Sequence, residues 1–378
     1  MIPGSATRAG TEAYARTAGA GCGAGHYSDF LNQHLQLSSL GIGTFPGAAE
    51  DAVDADYAAI IARALQSGIN VVDTAAHYRY GRSMRAVGEG LRRAFAAGIT
   101  REQVYVVGKG GFLRFDDGPP ADPGAWFEAN VAHKGLGTRD DLTGVHCLAP
   151  TYIAAQIDEL RAATGLATLD AFLVDQPEVH IPRLGKEELN RRLQSVFAVL
   201  ERAVRQEKIR SYGIATFAGF RVGTDHALFQ SLTSLLALAD NAARLVRQDH
   251  AARHHFRLVQ LPFNAVMNEG FTRFNQATGQ GNVASTLQAA HQLQLFVMGS
   301  HGLAKGALAV QCADAVRAAL PDFASDAQRA LQFNRSTPGL GVSLAGISTP
   351  AHLDDLIAVS AAPPLARADY LKLYRRAE

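Results

Sequence analysis

The sequence has little of what staples or anchors a chain. Its three cysteines, Cys22, Cys147 and Cys312, stand far apart and form no CxxC pair. That argues against a disulfide framework or a cysteine zinc site. No charge dominates either: 36 Lys and Arg against 35 Asp and Glu give a formal charge of +1. No global field would hold nucleic acid, and no basic tract supplies a local one. Nowhere do about 18 apolar residues run together, so no membrane-spanning helix is predicted. The first 30 residues are rich in Ala and Gly but lack the continuous apolar stretch of a secretory signal. These absences predict a soluble cytoplasmic protein, acting on a small molecule rather than on nucleic acid or membrane. The sequence carries no signal for an oligomeric state.

What is present is core material. Hydrophobic residues make up 47% of 378 and charged residues 19%, a globular composition. Eight short apolar runs recur: Leu40–Thr44, Ile69–Val72, Val104–Val107, Leu169–Val174, Ile209–Ile214, Leu258–Leu261, Leu295–Met298 and Val342–Ile347. Near-continuous apolarity suits strands buried on both faces. Amphipathic stretches separate them: Asp54–Ser67 with Asp54 as its cap, Met84–Ala97, Ile153–Ala163, Glu187–Gln206, Thr286–Leu293 and a last one opening at Thr349–Pro350. Strand and helix alternating eight times predict α/β architecture, and a closed (β/α)₈ barrel better than an open sheet. The Gly-rich stretch Gly19–Gly25 follows no strand, so we read it as a flexible linker and not a dinucleotide fingerprint. A minimal barrel takes about 250 residues, leaving roughly 130 to place. We expect an N-terminal extension over residues 1–35 and a single barrel over 36–378. An insertion at 111–151 would serve as lid or pocket loop.

In such a barrel, chemistry sits at the C-terminal strand ends. There the sequence places Asp73, His77 and Tyr78 after the second strand, Lys109 after the third and Asp175 after the fourth. Ala215 and Thr216 follow the fifth, Gln260 and Asn264 the sixth, Ser300 and His301 the seventh, and Ser348 the eighth. A lysine in an apolar mouth needs a partner, and Asp73 can supply one. A tyrosine beside the ammonium would have its pKa lowered, giving a general acid. The plainer alternative is a structural salt bridge with Tyr78 packed beside it. His254–His255 precedes the sixth strand and reads as structural. His133, His146 and Cys147 fall in the insertion and read as loop packing or pocket lining. Arg335 and Ser336 precede the eighth strand and suit either a contact to bound ligand or a helix cap.

These residues carry a resemblance. Asp73–Tyr78 (DTAAHY), the Lys109 strand end, Leu40–Phe45 (LGIGTF), Val259–Asn264 (VQLPFN) and Leu303–Gly306 (LAKG) occur in the order seen in the aldo-keto reductase superfamily. The resemblance is closest to a branch with YRxxRS, here Tyr78–Ser83, and a long insertion after the third strand. It covers residues 35 to 360. It implies NAD(P)H-dependent reduction of a carbonyl, with Tyr78 as acid, Lys109 lowering its pKa and Asp73 holding Lys109. It also implies a cofactor site of Thr216, Gln260, Ser300, Leu303, Lys305, Gly306, Ser348 and His352. NADP is the family default and NAD an alternative, since Ser348–Asp355 offers only His352 as a base.

The sequence departs from the family where it matters most. Asp175 stands where the family has a histidine that donates to the substrate oxygen. An ionised aspartate cannot donate, whereas a protonated one can. Related steroid double-bond reductases carry a glutamate there and reduce conjugated C=C bonds. His77, Met84 and Gln176 also replace the branch's usual residues, and His77 could serve as a substitute donor. Two further readings stay open: non-redox acid–base chemistry by Tyr78, Asp175 and His77, and a non-catalytic binding protein.

Overall fold

β-branched and aromatic runs, flanked by Gly and polar turns, fold into strands at all eight expected places. The computed structural model describes residues 1–30, 33–116, 118–279 and 281–374. The chain opens with a helix, Arg8–Arg16, then an antiparallel hairpin of β1 (Tyr27–Phe30) and β2 (Leu35–Ser38). β3 (Leu40–Gly43), β4 (Val71–Asp73) and β5 (Tyr105–Gly110) start the barrel. A small hairpin of β6 (Leu142–Thr143) and β7 (His146–Cys147) interrupts it. β8 (Leu169–Asp175), β9 (Ile209–Ala215) and β10 (Phe256–Pro262) continue. A third hairpin, β11 (Phe274–Ala277) with β12 (Val283–Ser285), precedes β13 (Phe296–Ser300) and β14 (Val342–Gly346). The eight barrel strands close in the order β3-β4-β5-β8-β9-β10-β13-β14, with β14 pairing parallel to β3.

Side chains alternate across a strand with period two. Val71, Tyr105, Val107, Ala171, Leu173, Leu258, Phe296, Met298, Val342 and Leu344 share one apolar cluster inside the barrel. Two residues beyond the last inward-facing residue of each strand come Asp73, Lys109, Asp175, Gln260 and Ser300. One alternation rule therefore turns all five inward at the same end. Residues of opposite parity, such as Val72, Val106 and Val174, pack instead with the surrounding helices.

The N-terminal segment is built into this core. Phe30, Leu35 and Leu37 join the interior cluster, and the Phe30 ring lies 4.5 Å from Phe296 and 5.9 Å from Tyr105. The hairpin plugs the N-terminal end of the barrel and spans the boundary expected at residue 35. The linker reading of Gly19–Gly25 is corrected here. Gly19 N–H donates to Tyr14 O, Cys22 N–H to Gly19 O, Gly23 N–H to Ser360 O and His26 N–H to Gly23 O. This is a bonded turn joining the first helix to the plug.

A second correction concerns Asp54. The helix begins at Asp51, with Glu50 at the cap position. Asp54 lies inside it and pairs with Arg79 at 2.6 Å and Arg82 at 2.7 Å. Those arginines belong to the YRxxRS segment, so the carboxylate ties the loop after β4 to the helix after β3.

The insertion after β5 has its own small core of Leu113, Phe115, Phe127, Val131, Cys147, Ala149 and Tyr152. Gln156 fastens its root, accepting from Gly111 N–H and donating to Phe112 O. Among the described residues no helix is long and apolar enough to cross a membrane.

The plug yields a stability prediction. Phe30→Ala empties a fully buried aromatic site, so it should cost about 3–5 kcal/mol. Urea denaturation measures this. A loss below about 1 kcal/mol would mean the plug is not part of the cooperative core.

Candidate active site

The mouth of the barrel is organised by one buried cation. Lys109 Nζ donates to Asp73 Oδ1 at 2.8 Å and to Gln260 Oε1 at 2.9 Å. Gln260 Nε2 closes the triangle by donating to Asp73 Oδ2 at 2.9 Å. The Lys109 and Asp73 side chains are each only 3% exposed. Burial pulls the Lys109 pKa down, but the Asp73 carboxylate above all holds it above its ordinary value. It is a permanent ammonium. Gln260, which the resemblance links to the cofactor, uses one donor and one acceptor inside this triangle. Only its second N–H and second lone pair remain.

Tyr78 follows β4 on a tight turn, and Lys109 Nζ lies 4.9 Å from its ring centroid. Here the expected direction of pKa shift is reversed. Burial raises the phenol's pKa, with Asp175 and Asp73 adding to it, and the opposing pull of Lys109 is smaller. Tyr78 is therefore a firmly protonated phenol. Phe45 and His77 stand edge-on to it at 5.1 and 4.8 Å.

Asp175 ends β8. Burial raises its pKa to about 6, against the pull of Lys109. Near neutrality it populates both the carboxylic acid and the carboxylate. His77 is partly exposed, yet its Nδ1 is buried without a hydrogen-bond partner. Burial first, then Lys109 and His146, lower its pKa to about 3. It is a neutral imidazole facing Phe112, with ring centroids 4.8 Å apart.

The residues expected to hold a cofactor ring the same mouth. Thr216 follows β9; its N–H donates to Gln260 O, while its buried Oγ1 has no partner. Ser300 ends β13, and its carbonyl accepts from Phe263 N–H. Leu303, Lys305 and Gly306 form a short turn with Lys305 exposed and φ positive at Ala304, Lys305 and Gly306. Ser348 is half-buried and His352 exposed, its N–H donating to the cap oxygen of Thr349 at 3.4 Å.

Arg335 lies elsewhere. It is buried beside His26 at the plug and donates to Val359 O and Ala362 O, the last carbonyls of the helix Pro350–Ala361, so of the two readings the helix cap describes it. His255 Nδ1 pairs with buried Glu201 at 2.8 Å, the structural role expected. Among the described residues no three His, Cys, Asp or Glu side chains gather as a metal site.

Two residues escaped the sequence reading. Glu178, three positions after Asp175, is buried and accepts from Phe217 N–H and Ala218 N–H, pinning the loop after β9. His180 is fully buried and bonds His146. A carboxylate and an imidazole beside an apolar strand end were the available signals, but their partners come from other loops.

A closed barrel with a phenol beside a lysine–aspartate pair at its C-terminal mouth is the arrangement that the sequence resemblance implies. The chain belongs to the aldo/keto reductase family, whose sequence model matches residues 39–231. A D-galacturonate reductase of Hypocrea jecorina is 40% identical over 79 residues, which cover 21% of this chain and only 23% of that enzyme. Among solved structures, an aldo/keto reductase from Klebsiella pneumoniae in complex with NADP and acetate superposes with a TM-score of 0.59 at 17% identity. That match covers 92% of this chain and 94% of the other. An aldo-keto reductase from Bacillus halodurans, in its holo form, gives 0.60 at 16% identity, covering 93% and 97%. A putative 2,5-diketo-D-gluconic acid reductase B gives 0.56 at 18%, covering 92% and 90%.

The buried imidazoles generate a pH prediction. Burial lowers His26, His77 and His180 to about 3 and His146 to about 4. The unfolded chain binds those protons near 6.5. Stability is thus fully present above pH 6.5 and falls as the pH drops from there toward 3–4. Tm should decline steeply over that window. A flat Tm profile across it would contradict the burial of these rings.

Proposed function

We propose that the protein reduces a carbonyl or conjugated enone of a small organic substrate with NAD(P)H, with Tyr78 as general acid. The observation that carries this reading is the Lys109–Asp73 pair set under the Tyr78 ring. When bound, the nicotinamide would supply the hydride that forms the new C–H bond. Tyr78 would give its phenolic proton to the substrate oxygen, and the phenolate left behind would be stabilised by the Lys109 ammonium. Asp73 and Gln260 keep that ammonium in place.

The side chains at the mouth fit a dinucleotide. The orphaned Oγ1 of Thr216 would take a carboxamide, helped by the spare N–H and lone pair of Gln260. The backbone of Leu303–Gly306 and the Lys305 ammonium would hold phosphate, with Ser300, Ser348 and His352 along the same rim. NADP is the preferred cofactor by family, as in the Klebsiella neighbour.

Asp175 sets the pH response. As a neutral acid it can hydrogen-bond the substrate oxygen; ionised, it repels the developing negative charge. His77, with its unpartnered Nδ1, is the second group able to contact substrate. The sugar-acid names of the galacturonate and diketogluconate relatives make uronic and keto-sugar acids the first substrates to try. A second reading, acid–base chemistry without hydride, draws on the engagement of Gln260 in the Lys109–Asp73 triangle.

Titration of the purified protein with NADPH, followed by nucleotide fluorescence, tests the central claim. Saturable binding is expected; its absence with both NADPH and NADH would overturn the redox reading. Tyr78→Phe should cut turnover by about 100-fold or more while leaving nucleotide binding intact. The wild-type rate should fall as the pH rises through about 6, as Asp175 ionises. The rate of Asp175→Asn should lose that limb.

A further inference from the structure

One imidazole of the insertion bonds the end of an active-site strand. His146, on β7, is 1% exposed, and its Nε2 lies 2.6 Å from the carbonyl oxygen of Asp175. A carbonyl can only accept, so Nε2 must carry the proton. Nδ1 is then bare and accepts from His180 Nε2–H at 2.9 Å. His180 Nδ1 in turn accepts the Thr143 hydroxyl at 2.8 Å. Thr143 Oγ1 accepts from Arg183 Nε at 3.0 Å. Each donor and acceptor in the chain has one role, and both rings are neutral. The chain ends on a carbonyl, which has no proton to pass on, so it cannot relay protons to the mouth.

What it can do is hold a peptide plane. The Asp175–Gln176 peptide has its carbonyl fixed by His146. Its N–H, on Gln176, donates to Ala215 O at 2.6 Å. Gln176 itself sits at φ 50°. With both polar atoms taken and the next residue left-handed, the Cα–Cβ direction of Asp175 is determined. The packing around His146 makes room for this contact. Gly111, just after β5, has φ 129°, and a Cβ added there would land on the His146 imidazole. Cys147 N–H donates to Gly111 O at 2.8 Å, so the glycine and the histidine are held together.

We propose that His146 is a positioning residue, whose Nε2–H bond to the Asp175 carbonyl aims the Asp175 carboxyl and ties the seating of the insertion to the chemistry at the barrel mouth. This rests on the reductase reading for its consequence in turnover, but not for its geometry. The groups facing the Asp175 carboxyl are Lys109 from β5, Asp73 from β4, Tyr78, and Gln176 and Glu178 on its own loop. Turning the carboxyl among them changes its titration.

The test uses the full chain with 13C-labelled aspartate and follows the Asp175 carboxyl by NMR across pH, without nucleotide. The resonance is assigned by its loss in Asp175→Asn. His146→Leu removes the donor. It should move the Asp175 midpoint by about 0.5 unit or more and lower kcat about 10- to 100-fold, with NADPH affinity unchanged. His146→Gln keeps an N–H donor and should restore most of both. If His146→Leu does not fold, His146→Phe serves, because it keeps an aromatic ring of similar size and removes the donor; the same shift is expected. A wild-type midpoint and kcat in the variant that folds would overturn the proposal. The titration decides the positioning role even if the wild type proves to bind no nucleotide, so the two readings fail separately.

Discussion

Everything at the mouth of this barrel depends on keeping one ammonium charged out of water. Taking Lys109 and Asp73 into the interior costs several kcal/mol for each ion. Gln260 adds a hydrogen bond to each of them, which helps their mutual attraction offset that cost. The triangle draws on β4, β5 and β10 at once, so it also fixes how three strands end. Tyr78 and Asp175 take their properties from it. Both would titrate higher still without the nearby positive charge, and neither would sit where it does without the closed ring of strands.

Much of this could be read from the sequence, for a simple reason. Alternation along a buried strand is rigid, so counting by two from the inward-facing apolar residues delivers Asp73, Lys109, Asp175 and Gln260 to one layer. The strand runs were visible because parallel strands buried on both faces have few polar residues to blur them. The shift of Tyr78 was not readable. Its sign comes from a contest between burial and a neighbouring charge, and burial is a property of the assembled mouth. The second employment of Gln260 was hidden likewise, since a glutamine's partners cannot be inferred from the strand that carries it. His146 and His180 come from separate loops, and no local pattern announces that they meet. The Gly19–Gly25 turn looked like a linker because its partners lie as far away as Ser360.

Of the ten non-glycine residues with positive φ among the described residues, His34, Glu207, Gln248 and Gln294 precede strands, and the other six stand where the chemistry lies. Arg79, Tyr80, Gln176, His301, Ala304 and Lys305 all have positive φ, and all stand in loops beyond the C-terminal strand ends. Such residues cost on the order of 1–3 kcal/mol each and persist only where their surroundings over-determine them. The arginine pairs with Asp54, the Glu178 clasp on the β9 loop and the His146 bond to β8 are such surroundings. The opposite end of the barrel carries the plug and its apolar packing.

The plug at that opposite end has a consequence for how the chain is made. Phe30, Leu35 and Leu37 share their cluster with Phe296, Val342 and Leu344, which lie far along the chain and are made much later. Until β13 and β14 have been made, the hairpin presents a sticky face with no native partner. Its contacts also raise the mean sequence separation of the fold, which slows folding. A nascent chain of this design therefore invites chaperone attention at the hairpin, and a chain cut before β13 would leave that face exposed for good.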